Sequence, residues 1–208
     1  MTITKYDELS SMELDMLREI GSIGAGNAAT ALSNTITKKI TISVPEVKIL
    51  DYNEAIAYIG SPELTVMGEL VKLSGEIDAT MLYLQKIEFV NLILQSLLSK
   101  TIESFEELDE MDISALTEIG NIIISSYVNA ISTLTGIEID LSVPATAVDM
   151  LASMATIPMI EYGYQNNTIM IIDVDFKCDG ISMPSNLILV PDVQSLNFLM
   201  KKLGIDCE

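Results

Sequence analysis

Two stretches of this 208-residue chain repeat one another ninety-nine positions apart, and that repetition constrains the fold more than any other feature. Residues 19–45 read EIGSIGAGNAATALSNTITKKITISVP, and residues 118–144 read EIGNIIISSYVNAISTLTGIEIDLSVP. Glu19, Ile20, Gly21, Ile23, Ala31, Ser33 and Ile40 meet identical partners at Glu118, Ile119, Gly120, Ile122, Ala130, Ser132 and Ile139. The Ser-Val-Pro of 43–45 recurs at 142–144. Internal repetition decides the class of architecture, and two copies are too few for a stacked array. The expectation is one domain over 1–208 with pseudo-two-fold symmetry and internal repeats at approximately 11–100 and 110–205.

Each copy continues in the same order. Alternation and β-branched content predict strands at 40–50, 55–59, 64–73 and 76–84 in the first copy, and at 137–143, 155–162, 168–176 and 182–190 in the second. Short helical patterns close the copies at 87–98 and 193–203. Between the copies, 101–112 carries six acids. It reads either as a linker or as the acidic start of the next helix, where carboxylates favour the dipole. The fold class expected is α+β: a central, mostly antiparallel sheet with the two long repeat helices packed together on one side.

Charge and composition remove several functions. There are 11 Lys and Arg against 30 Asp and Glu, a formal net charge of -19, so the chain lacks the cationic footprint of a nucleic-acid binder or of a protein that docks on anionic lipid. With no histidine, His-dependent triads and His-ligated zinc are excluded. Cys178 and Cys207 form no CxxC pair. Few cysteines and no amino-terminal basic-then-apolar segment give a cytoplasmic expectation. The uncharged run 119–137 is interrupted by Asn121, Ser125, Ser126, Asn129, Ser132 and Thr133, so a buried helix running into a turn is expected there, not a membrane insertion.

The repeat helices share a polar stripe. With Ser114 at zero and about 100° per residue, Glu118, Asn121, Ser125 and Asn129 fall at roughly 40°, −20°, 20° and 60°. Leu116, Ile119, Ile123, Tyr127, Ala130 and Leu134 occupy the opposite side. The first copy repeats the layout with Asp15, Glu19, Ser22, Gly26 and Thr30, opposite Leu17, Ile20, Gly24, Ala28 and Ala31. A solvated face is the ordinary explanation of such a stripe. Here it recurs at the same spacing, and beyond Glu118 it holds only short, neutral hydrogen-bonding groups. A carboxylate and a carboxamide three residues apart project from one face. The first can grip a cation on a partner, and the second can hold a water by two contacts.

The spacing Ser114-x3-Glu118-x2-Asn121-x22-Pro144 resembles the active-site signature of the CheC family of chemotaxis phosphatases, which act on phosphorylated CheY. Asp15-x3-Glu19-x2-Ser22-x22-Pro45 is the same pattern with Ser in place of Asn. The resemblance spans nearly the whole chain, including the runs at 19–33, 75–77, 108–121 and 187–196. It implies that Glu118 pairs with a basic side chain of CheY and that Asn121 holds a water in line with the scissile P–O bond. Asp15 and Ser114 are implied as supporting positions, and Glu19 with Ser22 as a degenerate first site, weak or silent. No cofactor of its own is implied; Mg2+ is expected from the CheY partner. An acyl phosphate is already activated and passes through a loose transition state, so positioning is the main contribution left to the protein. The resemblance also implies CheD, a receptor-modifying deamidase, as a second partner. Two alternatives stay open: a weakly catalytic CheD-binding adaptor, and a flagellar-switch-like (FliM/FliY-type) CheY-binding module.

Other residues are expected to be structural. Gly24, Gly26 and Asn27 lack the lysine and preceding strand of a phosphate loop, and the two glycines are expected to serve close helix packing. Pro45 and Pro144 are expected to end strands or shape turns. Asp173 and Asp175 alternate with Ile172, Val174 and Phe176, the pattern of a half-exposed strand.

Overall fold

The computed structural model describes residues 6–161 and 168–204. In chain order the elements are α1 (Ser11–Ile36), β1 (Ile40–Ile42), β2 (Glu46–Asp51), α2 (Tyr52–Ile59), β3 (Thr65–Gly75), β4 (Ala79–Gln85) and α3 (Ile87–Leu98). The same series follows as α4 (Glu110–Thr135), β5 (Ile139–Leu141), β6 (Ala145–Met150), α5 (Leu151–Glu161), β7 (Thr168–Cys178), β8 (Ile181–Pro191) and α6 (Val193–Lys202). One eight-stranded sheet runs β1-β7-β8-β4-β3-β5, with β2 also on β7 and β6 also on β3. Every pairing is antiparallel. The α+β class and the single domain expected from the sequence are what the fold presents, with the same series of elements occurring twice along the chain.

The halves are interlocked rather than side by side. First-half strands β1 and β2 lie end to end along second-half β7, and second-half β5 and β6 lie along first-half β3. The repeated Ser-Val-Pro makes the join. A proline has no N–H to give a ladder, so each edge strand breaks there. The serine bridges the break: Ser43 N donates to the Asp175 carbonyl (3.0 Å), and its Oγ accepts from Asp175 N (3.0 Å). In the other half Ser142 N donates to Lys72 O (2.9 Å) and its Oγ accepts from Lys72 N (3.0 Å). Val44 and Val143, each beside its proline, remain exposed.

Two segments expected as strands are helices. Residues 55–59 lie in α2 and 155–161 in α5; Tyr162, the end of the second expectation, lies outside the described residues, as do Ile205 and Cys207. Asp51 starts α2 with a capping box: its Oδ1 accepts from Glu54 N (2.9 Å), and Glu54 Oε2 accepts from Asp51 N (3.3 Å). Ala55, Ile56 and Ile59, and likewise Leu151, Met154, Ala155 and Met159, are buried at helical spacing, which overrides their β-branched and alternating appearance. The strand β6, between α4 and α5, was not expected.

α2 and α5 cover one face of the sheet. They meet through Tyr52, whose hydroxyl donates to Ala152 O (2.6 Å). Met154 of α5 fills the space above Gly68, close to Leu82. α1, α3 and α4 cover the other face, where Phe89 of α3 stacks edge-on to Tyr83 of β4 (6.1 Å between centroids) and beside Phe176 of β7. α1 and α4 pack together as expected. A Cβ on Gly24 would stand 2.5 Å from the Tyr127 ring and 3.0 Å from its Cα, so the helices approach because residue 24 has no side chain. Gly26 does not share this role, because a Cβ there meets nothing within 4 Å. Ala31 and Leu134, expected on the buried faces, are only partly buried.

Candidate functional site

The acidic stretch at 101–112 is both connector and helix start. Asp109 caps α4, its Oδ1 accepting from Met111 N (2.9 Å) and Asp112 N (3.0 Å), while Asp109 N donates to Asp112 Oδ2 (3.0 Å). Lys100 donates to Asp109 (3.1 Å) and to the buried Asp112, offsetting part of the negative charge of the turn. Hydrogen bonding to the Asp112 amide and to Lys100 holds the Asp109 carboxyl below its usual range. The start of α4 is thereby fixed two turns before Glu118.

Along α4 the polar stripe lies at the surface. Ser114, Glu118 and Asn129 are exposed, and Asn121 and Ser125 are half-buried, while Leu116, Ile119, Ile123, Tyr127 and Ala130 are buried behind them. Glu118 and Asn121 therefore share one accessible edge a single turn apart, open to an approaching surface. On α1 the corresponding edge carries Asp15 and Glu19, both exposed, and Ser22, half-buried. Asp15 is engaged by Arg18 (2.5 Å). At the position equivalent to Arg18, Thr117 instead bonds Thr146 of β6 (3.1 Å).

The two edges rest on different floors. Ser142 joins Lys72 as Ser43 joins Asp175, so Lys72 and Asp175 are equivalent, and three residues earlier Glu69 corresponds to Ile172. Beneath α1, Ile172 Cγ2 would stand 3.4 Å from a Cβ on Gly21. Beneath α4, Glu69 Oε2 would stand only 1.8 Å from a Cβ on Gly120, so the carboxyl occupies the space that the missing side chain leaves. Gln85 lies beside it, its Nε2 donating to the Leu116 carbonyl (3.4 Å). In the ladder Gln85 opposes Met67; the equivalent pair in the other half is Met170 with Leu189. An acid and an amide thus underlie the α4 edge, where an isoleucine and a leucine underlie the α1 edge.

Glu69 is fully buried, and neither of its carboxylate oxygens has a hydrogen-bond partner. Burial, then the negative charge of Glu118, pushes its pKa up to about 8. The sequence reading passed over Glu69 and Gln85. The signal was available: in β3, Met67, Glu69, Val71 and Leu73 share one face, and a lone acid among buried apolar neighbours marks a site that stabilises or uses it.

The remaining expectations resolve simply. Gly24, Gly26 and Asn27 lie within α1, so no strand-to-helix phosphate loop exists there. Asp173 and Asp175 lie half-exposed on β7, with Asp173 accepting from Asn186 Nδ2 (2.9 Å) and from Tyr58. Among the described residues no group of three or more acids or cysteines is placed to hold a metal ion, and no helix is long and apolar enough to cross a membrane.

Comparison with known proteins agrees with this layout. The model of the CheC-like family matches residues 12–49 and 111–154, the two long helices and the strands that follow them. The CheY-P phosphatase CheC of Bacillus subtilis (strain 168) is 26% identical over 203 residues, covering 96% of this chain and 97% of that protein. Among solved structures, Thermotoga maritima FliY superposes with a TM-score of 0.73 at 22% identity, over 95% of this chain and 98% of the other. The FliM middle domain from H. pylori superposes at 0.71 with 16% identity, over 93% and 99%. The resemblance to the CheC family is thus borne out in both halves, on a fold shared with flagellar switch proteins.

Proposed function

We propose that this protein hydrolyses the phospho-aspartate of phosphorylated CheY, with Glu118 and Asn121 as its catalytic pair. The observation that carries the reading is the edge of α4, where the exposed carboxylate of Glu118 and the half-buried carboxamide of Asn121 stand one turn apart. Such an edge encloses no small substrate; it suits a labile group presented on another protein's surface. Glu118 docks on a basic side chain of CheY. Asn121, donor and acceptor at once, orients the attacking water. Mg2+ is supplied by CheY. Orientation of reactants can remove several kcal/mol from a barrier, and a single carboxamide supplies part of that. Ser22 reaches less far than a carboxamide, so the first edge contributes little chemistry, and Glu19 serves docking.

A second reading is a CheY-binding module without turnover, favoured by the fold likeness to the FliM middle domain. CheD as a further partner rests on the family resemblance alone. Release of phosphate from phosphorylated CheY, above CheY's own decay and diminished by Glu118→Ala, supports the phosphatase reading. CheY binding without accelerated release supports the module, and capture of CheD by a protein lacking both supports the adaptor.

A further inference from the structure

We infer that Glu69, with Gln85, is a positioning residue for the α4 edge: its carboxyl sits in the space left by Gly120 and sets how the turn bearing Glu118 and Asn121 is presented. The inference rests on the phosphatase reading. Three observations converge on it. Glu69 fills the position of an absent Cβ between the two edge residues. Gln85 Nε2 holds the Leu116 carbonyl, which belongs to the turn leading into Gly120. The acid–amide floor lies only under the edge that retains Glu and Asn; under Glu19 and Ser22 the equivalent residues are Ile172 and Leu189.

A buried carboxyl without partners is tolerated as the neutral acid far better than as the anion. The groups facing it are Glu118 from α4, Tyr83 and Gln85 from β4, and Thr146 across the ladder from β6. Of these Glu118 opposes its ionisation, and none is a cation that would favour it. As the acid, Glu69 supports the turn. As the anion it draws in water and repels Glu118, and the edge loses its geometry. The edge is therefore in working order below about pH 8 and is disturbed above it.

The test has two readouts. The first is the pH titration of the Gly120 and Asn121 backbone amides by NMR in the full chain. A transition near pH 8 in the wild type that is absent in Glu69→Gln is expected; no transition, or one that persists in Glu69→Gln, overturns the inference. The second is phosphate release from phosphorylated CheY across the same pH range, corrected for CheY's own decay. The wild type should lose about three- to tenfold in kcat as pH rises through 8, a range set by slight misplacement of reacting groups. Glu69→Gln should stay flat. Glu69→Ile, which installs the first-half residue, should lower kcat with KM little changed while amide spectra remain folded. Equal pH profiles for wild type and Glu69→Gln overturn the catalytic role. If the wild type releases no phosphate at any pH, the phosphatase reading fails, and the amide titration still decides whether Glu69 governs the turn.

Discussion

Replacing Glu69 by glutamine should make the protein more stable at alkaline pH, and the size of the gain follows from where the carboxyl sits. In the unfolded chain Glu69 titrates near the ordinary 4.5; in the fold, burial and then Glu118 raise it to about 8. Below 4.5 the group is protonated in both states, and the stability associated with the neutral acid is fully present. Between 4.5 and 8 the unfolded chain releases a proton that the fold retains, so stability falls as pH rises, by about 1.4 kcal/mol per pH unit. Above 8 both states are ionised and the loss is complete, on the order of 4–5 kcal/mol relative to acid conditions. Glutamine has the same shape and no such titration. Urea unfolding of both proteins from pH 5 to 9 should give a difference that grows in favour of Glu69→Gln and levels off above 8. The repulsion among the remaining acids is common to both proteins and cancels. Parallel curves over the whole range would refute the placement of an uncompensated acid beneath Gly120.

Further outcomes follow from other close approaches and from the repeat itself. Gly24→Ala should destabilise by about 1–2 kcal/mol despite the better helix propensity of alanine, because the new Cβ meets both the ring and the Cα of Tyr127; chemical denaturation measures it. Thr37 ends α1 in a left-handed conformation (φ 54°), where the second half uses Gly136 (φ 70°), so Thr37→Gly should raise stability by about 1 kcal/mol in the same assay. Ser22→Asn should raise phosphate release from phosphorylated CheY. No gain would mean that the apolar floor of Ile172 and Leu189, and not the missing carboxamide alone, silences the first edge.

The repeat made the architecture legible because it was written in residues with fixed structural duties. Ser43 and Ser142 bridge broken edge strands, and Gly21 and Gly120 let each long helix lie close on the sheet, so both pairs recur in the sequence. The stripe of Ser114, Glu118 and Asn121 was legible because a helix converts spacing directly into a shared face. α2 and α5 were misread because short apolar segments carry little periodicity; capping by Asp51 and burial on the sheet decided the first of them. The interlocking of the halves was not legible, since strand pairing across the repeat leaves no local signature. For the same reason Glu69, more than forty residues before Glu118 in sequence, could not be placed beneath it.

The most direct test of the central claim is the single-turnover decay of phosphorylated CheY at saturating protein, wild type against Asn121→Ala, with CheY binding measured in parallel. The account predicts that Asn121→Ala binds CheY as the wild type does and loses tenfold or more of the accelerated decay, about 1.4 kcal/mol or more of barrier lowering. Decay that proceeds at nearly the wild-type rate would contradict it, because the carboxamide on the α4 edge would then not be what holds the water.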